Sequence, residues 1–172
     1  MLAKATGKDK ERITAFYRHV AENTKDIREY CRWVYGLHPS PRAIEKYIDD
    51  GNMYYKEENG TIVAAVAVTF FQGEEYRNTN WARKAQDNEV SVLHLLAVDP
   101  ERSGRGIGRK TVEDVIEISG KRGMKAVRLD ALASNTPALN LYASLGFAVR
   151  GRENWFAENT GDTDFLLLEK VL

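Results

Sequence analysis

The chain has 172 residues with 25 basic and 25 acidic side chains, and so no formal net charge at neutral pH. That balance argues against a bulk nucleic-acid or membrane-surface binder, and the length suits one domain with a sizeable core. A single cysteine, Cys31, excludes an intramolecular disulfide and a cysteine-based metal site, and no metal is expected. No apolar run reaches the roughly 18 residues needed to span a bilayer. The start, Met1-Leu-Ala-Lys-Ala-Thr-Gly-Lys8, lacks a signal-peptide core. The expectation is a soluble protein of a reducing, cytoplasmic compartment.

Leu2–Thr6 reads as a short strand. Residues 8–23 read as a helix, with Ile13, Phe16, Tyr17 and Val20 at helical spacing. A second helix is expected over 26–35. A third starts at Ser40-Pro41, an N-cap followed by proline in the first turn, and stops at Gly51. Met53–Glu57 and Thr61–Phe71 are expected strands joined by the Asn59-Gly60 hairpin turn. Residues 72–88 read as a long polar loop, and Val90–Val98 as a buried strand. A helix is expected over 105–122, with Ile107, Thr111, Val115 and Ile118 on one face. A strand follows at Ala126–Ala131, then a helix at Thr136–Leu145 with Thr136 as its cap. Phe147–Arg152 and Asp164–Val171 are the closing strands. The order predicts one mixed α/β (α+β) domain spanning 1–172.

The most informative stretch is Val98-Asp-Pro-Glu-Arg-Ser-Gly-Arg-Gly-Ile-Gly-Arg-Lys-Thr111. Gly104, Gly106 and Gly108 alternate where a strand hands over to a helix, so the backbone can approach a ligand closely. The helix start would aim unpaired N–H groups and the positive dipole end into the loop, a site for phosphate or pyrophosphate. Arg102, Arg105, Arg109 and Lys110 add positive charge. The dinucleotide pattern G-x-G-x-x-G fails at Arg109 or Thr111. The nucleotide P-loop pattern fails only at Arg109, which stands where the backbone must wrap a phosphate.

The loop resembles the acyl-CoA loop of the GCN5-related N-acetyltransferase (GNAT) family, whose pattern is Gln/Arg-x-x-Gly-x-Gly/Ala. Gly104 and Gly106 match its last two fixed positions, while Glu101 and Ser103 depart from the residues usual there. Asn135-Thr-Pro-Ala138-Leu-Asn-Leu141-Tyr142-Ala-Ser-Leu-Gly146-Phe147 resembles the family's N-x-x-A-x-x-L-Y-x-x-x-G-F segment at every fixed position. Offsets of three and seven place Asn135, Ala138 and Tyr142 along one side of a helix and its cap.

The resemblance implies a splayed, mostly antiparallel sheet of about six or seven strands flanked by about four or five helices. It implies acetyl-CoA as cosubstrate and direct acetyl transfer to a primary amine in a ternary complex. The pantetheine arm would lie against Leu96, Ala97 and Val98, with a backbone N–H near Leu96 as the oxyanion contact. The pyrophosphate would rest on amides from Arg102 through Ser103, Gly104, Arg105, Gly106 and Ile107 to Gly108, with the side chains of Arg105, Arg109 or Lys110 available to the outer phosphates and Asn135, Ala138 and Tyr142 completing the cofactor side. Tyr142 is the candidate general acid, and Glu89 or His94 the candidate base.

For the acceptor, a small-molecule or peptide amine, the aromatics Tyr30, Trp33, Tyr35, Tyr76, Trp81, Trp155 and Phe156, with His38, are candidate pocket walls. Glu74, Glu75, Asp87 and Glu89 would suit a cation. Asp130 is expected to be a strand-end residue tied to backbone or to an arginine. Two other functions stand beside this one, a non-catalytic acyl-CoA-binding module and, more distantly, a P-loop NTPase. A homodimer is open, because dimers are common in the family.

Overall fold

The computed structural model describes residues 1–172. Seven strands form one sheet in the order β1-β2-β3-β4-β5-β7-β6: β1 Ala3–Lys4, β2 Met53–Glu58, β3 Thr61–Thr69, β4 Val90–Val98, β5 Ala126–Leu132, β6 Ala148–Ala157 and β7 Gly161–Val171. All neighbours are antiparallel except β4 and β5. Five helices accompany them: α1 Lys10–Asn23, α2 Ile27–Tyr30, α3 Pro41–Asp49, α4 Ile107–Lys121 and α5 Thr136–Ser144. No helix is long and apolar enough to cross a membrane.

The centre of the sheet follows from β3, whose residues 62–68 are all buried because helices cover both faces. On one face α1 lays down Ile13, Phe16, Tyr17 and Val20, and α3 adds Ile44 and Ile48. On the other, Val112 and Val115 of α4 and Tyr142 of α5 pack against Val66, Val68, Leu93, Val127 and Leu129. The β2–β3 turn has Asn59 and Gly60 both at positive φ (50° and 78°), which fits a tight right-twisted hairpin.

Four expectations change. The second helix is only α2, because the backbone turns left-handed at Asp26 and Arg32 (φ 57° and 53°). Residues 72–88 are no open loop. Two short 3₁₀ turns, Glu74–Tyr76 and Asp87–Glu89, fold the segment onto the sheet, burying Tyr76 and Trp81 against Val92 and Leu167. The closing strands make a longer hairpin, since Trp155 packs on Phe165 and keeps β6 paired out to Ala157. Finally, Asn135 caps α5 in place of Thr136, its side chain accepting from the Ala138 amide at 3.4 Å.

Candidate active site

The parallel ladder between β4 and β5 pairs Val90 with Ala126, Ser91 with Val127 and Val92 with Arg128, and goes no further. Beyond it β4 stays on β3 as far as Val98, while β5 stays on β7 as far as Leu132. The two strands therefore fork, and residues 93–98 turn one backbone edge into the gap. A bulge lies in this edge. Ala65 pairs with Ala97 but Ala67 with His94, so Leu95 and Leu96 together oppose Val66. Leu95 has φ 51°, and its carbonyl accepts a 2.7 Å hydrogen bond from the buried Tyr17 hydroxyl.

The glycine loop closes the end of the fork. Gly104 and Gly106 have φ 76° and 75°, with open space where a Cβ would stand. Their requirement is conformational, since L side chains resist that region. The Lys110 amide makes the first backbone bond of α4, to the Gly106 carbonyl at 3.0 Å. The amides of Ile107, Gly108 and Arg109 precede it and have no helical acceptor. No acidic residue sits in the first turn of α4 to compete for an anion. A Cβ on Gly108 would stand 3.5 Å from both Leu141 and Val98, so β4, the loop and α5 meet there.

The cations around the loop divide. Arg102 is committed to Glu58 (2.7 Å) and Asp99 (3.3 Å), and Arg109 donates to the Ser144 hydroxyl at 2.7 Å. Arg105 and Lys110 are exposed, as is Ser103. An acyl-CoA pyrophosphate fits this cradle of unpaired amides beside solvent-facing cations.

Tyr142 is buried, its ring 5.5 Å from that of Phe147. Burial, reinforced by the charge of Asp130, raises its phenol well above the usual tyrosine value. His94 is half-buried, stacked on Tyr47 at 5.7 Å, with Nε2 3.5 Å from the Thr69 hydroxyl. Burial lowers its pKa, and the opposing pull of Asp130 and Glu75 does not cancel that effect.

Asp130 is the residue that sequence reasoning undervalued. It lies on β5 beyond the fork, and its Oδ1 accepts a 2.5 Å hydrogen bond from the Tyr76 hydroxyl. Its charge acts on His38, Tyr47, Tyr76, His94 and Tyr142, which come from five separate segments. Neither backbone nor an arginine holds it, contrary to expectation. The one sequence signal was an acid inside the apolar run Val127-Arg-Leu-Asp-Ala-Leu132.

Glu89 is not brought to this centre. It stands at the closed end of the β4–β5 pair, bound to Lys125 at 2.5 Å and to the Gln86 amide at 2.8 Å. The aromatics divide as well. Trp33 belongs to the core beside Tyr17, and Tyr30 and Tyr35 are half-buried. Phe156 is 72% exposed on edge strand β6. Tyr76 stacks on Trp81 with Trp155 tilted beside it, forming one wall near Asp130. Burial pushes the Cys31 thiol up to about 11, which keeps it protonated and unreactive. The hairpin tip is joined to the 30–32 segment, with Arg32 donating to the Thr160 carbonyl (2.9 Å) and Asn159 to the Arg32 carbonyl (3.0 Å).

Residues 13–147 match the model of the acetyltransferase (GNAT) family. The chain belongs to that family. An uncharacterized N-acetyltransferase of Methanocaldococcus jannaschii is 31% identical over 120 residues, covering 70% of this chain; the chain spans 46% of that relative. The ribosomal protein bS18-alanine N-acetyltransferase of Escherichia coli is 30% identical over 107 residues, 56% of this chain and 72% of that one. A ribosomal-protein-alanine N-acetyltransferase from Brucella melitensis shares the fold over 100% of this chain and 99% of its own, with TM-score 0.70 and 24% identity. GNAT chemistry is acyl transfer with acetyl-CoA as cosubstrate. The P-loop alternative falls with this membership and with a sheet that is antiparallel on every side but one.

Proposed function

We propose that the chain, as one domain over 1–172, transfers acetyl from acetyl-CoA to the primary amine of a cationic acceptor by direct attack in a ternary complex. The observation that carries this reading is the bulged β4 edge at the fork, with the buried Tyr142 and the half-buried His94 both under the charge of Asp130.

Each group has a task. The β4 edge at Leu96, Ala97 and Val98 offers backbone groups to the pantetheine amides, and the Leu96 N–H steadies the developing oxyanion. Asp130 receives the acceptor ammonium. His94, kept neutral by its burial, takes a proton from it, and the freed amine forms the new N–C bond as the C–S bond breaks. Tyr142, protonated at neutral pH, is the donor to the departing thiolate, whose basicity the same water-poor site must raise to match the elevated phenol for the proton to pass. The α-amino group of a peptide is the acceptor to test first, since that is what the bS18-alanine relatives modify.

The experiment is release of free CoA from acetyl-CoA across peptides with N-terminal alanine, diamines and amino acids, with Tyr142→Phe and Asp130→Asn alongside. Turnover by the wild type and loss in both variants is expected. Tight acetyl-CoA binding without turnover on any amine would favour a non-catalytic acyl-CoA-binding module.

A further inference from the structure

Arg128 and Asp130 are two residues apart on β5 and so project from the same face of the sheet. Arg128 is 1% exposed and spends its donors on the folded 72–89 segment and on Glu169. Nε and one terminal nitrogen donate to Glu169 Oε1 at 3.1 and 3.0 Å. The same nitrogen reaches the Arg83 carbonyl at 2.7 Å, and the other reaches Gln72 Oε1 at 2.5 Å. Glu169, also buried, turns Oε2 to the Ala82 and Arg83 amides at 2.9 and 3.3 Å. The backbone at 82–83 is thus gripped by its carbonyl and by its amides.

The grip continues through the adjacent indole. The Arg128 guanidinium lies 4.2 Å over the Trp81 ring. Trp81 donates its ring N–H to the Tyr76 carbonyl at 2.7 Å and stacks on the Tyr76 ring at 5.9 Å and 13°. The Tyr76 hydroxyl then closes the circuit on Asp130 Oδ1. A buried cation with no task in the chemistry is joined, through two stacked aromatics, to the carboxylate two residues along its own strand.

We propose that Tyr76, Trp81 and Arg128 are positioning residues for acyl transfer, fixing the Asp130 carboxylate so that Oδ1 is occupied by Tyr76 and Oδ2 is the oxygen presented to the acceptor ammonium. The proposal rests on the reading of Asp130 given above. It assigns a purpose to an otherwise costly buried Arg–Glu pair, because a loose carboxylate would bind an ammonium in many orientations.

The test uses the full chain, with the Asp130 carboxyl followed by ¹³C NMR and transfer to an alanine-leading peptide measured in parallel. The ionisable groups that feel that carboxylate's charge are Tyr76 of the 3₁₀ turn, His38, Tyr47 of α3, His94 of β4 and Tyr142 of α5, and Glu75 acts on Tyr47, Tyr76 and His94 as well. Tyr76→Phe keeps the ring and deletes one donor to the carboxylate, so the Asp130 carboxyl ¹³C resonance is expected to move at fixed pH. The kcat/KM for the amine is expected to fall about ten-fold or more, as loss of a charge-assisted hydrogen bond implies, with acetyl-CoA affinity unchanged. Trp81→Ala should move both readouts the same way, and Trp81→Phe should restore part of each.

An unmoved Asp130 carboxyl resonance in Tyr76→Phe, or an equal loss of acetyl-CoA affinity, would overturn the proposal. Impaired Asp130→Asn beside unimpaired Tyr76→Phe would sink it alone. Full activity of Asp130→Asn would instead sink the reading beneath it.

Discussion

The hydroxyl of Tyr17, fixed in the core by α1, donates a 2.7 Å hydrogen bond to the carbonyl of Leu95, the one β4 residue with positive φ. A helix on one face of the sheet thereby holds the bulge at the mouth of the fork on β4. Tyr17→Phe leaves that carbonyl without its partner and relaxes the bulge. A loss of about 1–3 kcal/mol in urea unfolding is expected, with a higher KM for acetyl-CoA.

The glycine loop predicts a cofactor-side defect. Gly106→Ala has room for its methyl but must hold it at φ 75°, a strain of about 1–2 kcal/mol. Acetyl-CoA affinity by calorimetry should fall, while the amine KM should stay near the wild-type value.

Tyr142→Phe keeps the packing against Phe147 and removes only the proton donor. A fall in kcat of about 10²–10⁴ is expected, with little change in Tm. A parallel fall in Tm would assign Tyr142 a packing role alone.

The pH profile should report His94. Its burial outweighs the upward pull of Asp130 and Glu75 and leaves its pKa below the ordinary 6.5. The neutral form accepts a proton, so kcat/KM should rise with pH through that lowered value and stay high at neutrality. Stability has the matching sign. The unfolded chain binds this proton more readily than the fold does, so His94's contribution is lost as pH falls from about 6.5 through the folded value. His94→Gln should remove the limb from the rate profile.

The buried Arg128–Glu169 pair should dominate the local stability. Removing one partner, as in Arg128→Ala, leaves the buried Glu169 carboxylate only the Ala82 and Arg83 amides and Arg150 Nε at 3.5 Å. A loss of about 3–5 kcal/mol is expected by denaturant unfolding, with 72–89 the first segment to become protease-sensitive.

Local sequence made much of this protein legible. The apolar run before three alternating glycines placed β4, the loop and α4, and the Asn135–Phe147 spacing placed α5. Legibility ended where meaning depended on distant partners. Arg128 meets Glu169 across 41 residues, and nothing beside either residue announces the other. The polar look of 72–88 hid a folded segment because Tyr76 and Trp81 are spaced for neither helix nor strand. Leu95 carries no mark of its left-handed backbone, since leucine ordinarily avoids it and only the Tyr17 contact explains its place. Asp130 resembled any strand-end acid until the fold set five ionisable rings around it.

The fork also divides the sheet. Strands β1–β4 form one leaf and β5, β7 and β6 another, and their direct ladder is the short run from Val90–Ala126 to Val92–Arg128. A ligand arm seated in the gap would supply the missing rungs and join the leaves. Amide exchange in the free protein should therefore resolve two opening units, and saturating acetyl-CoA should merge them into one.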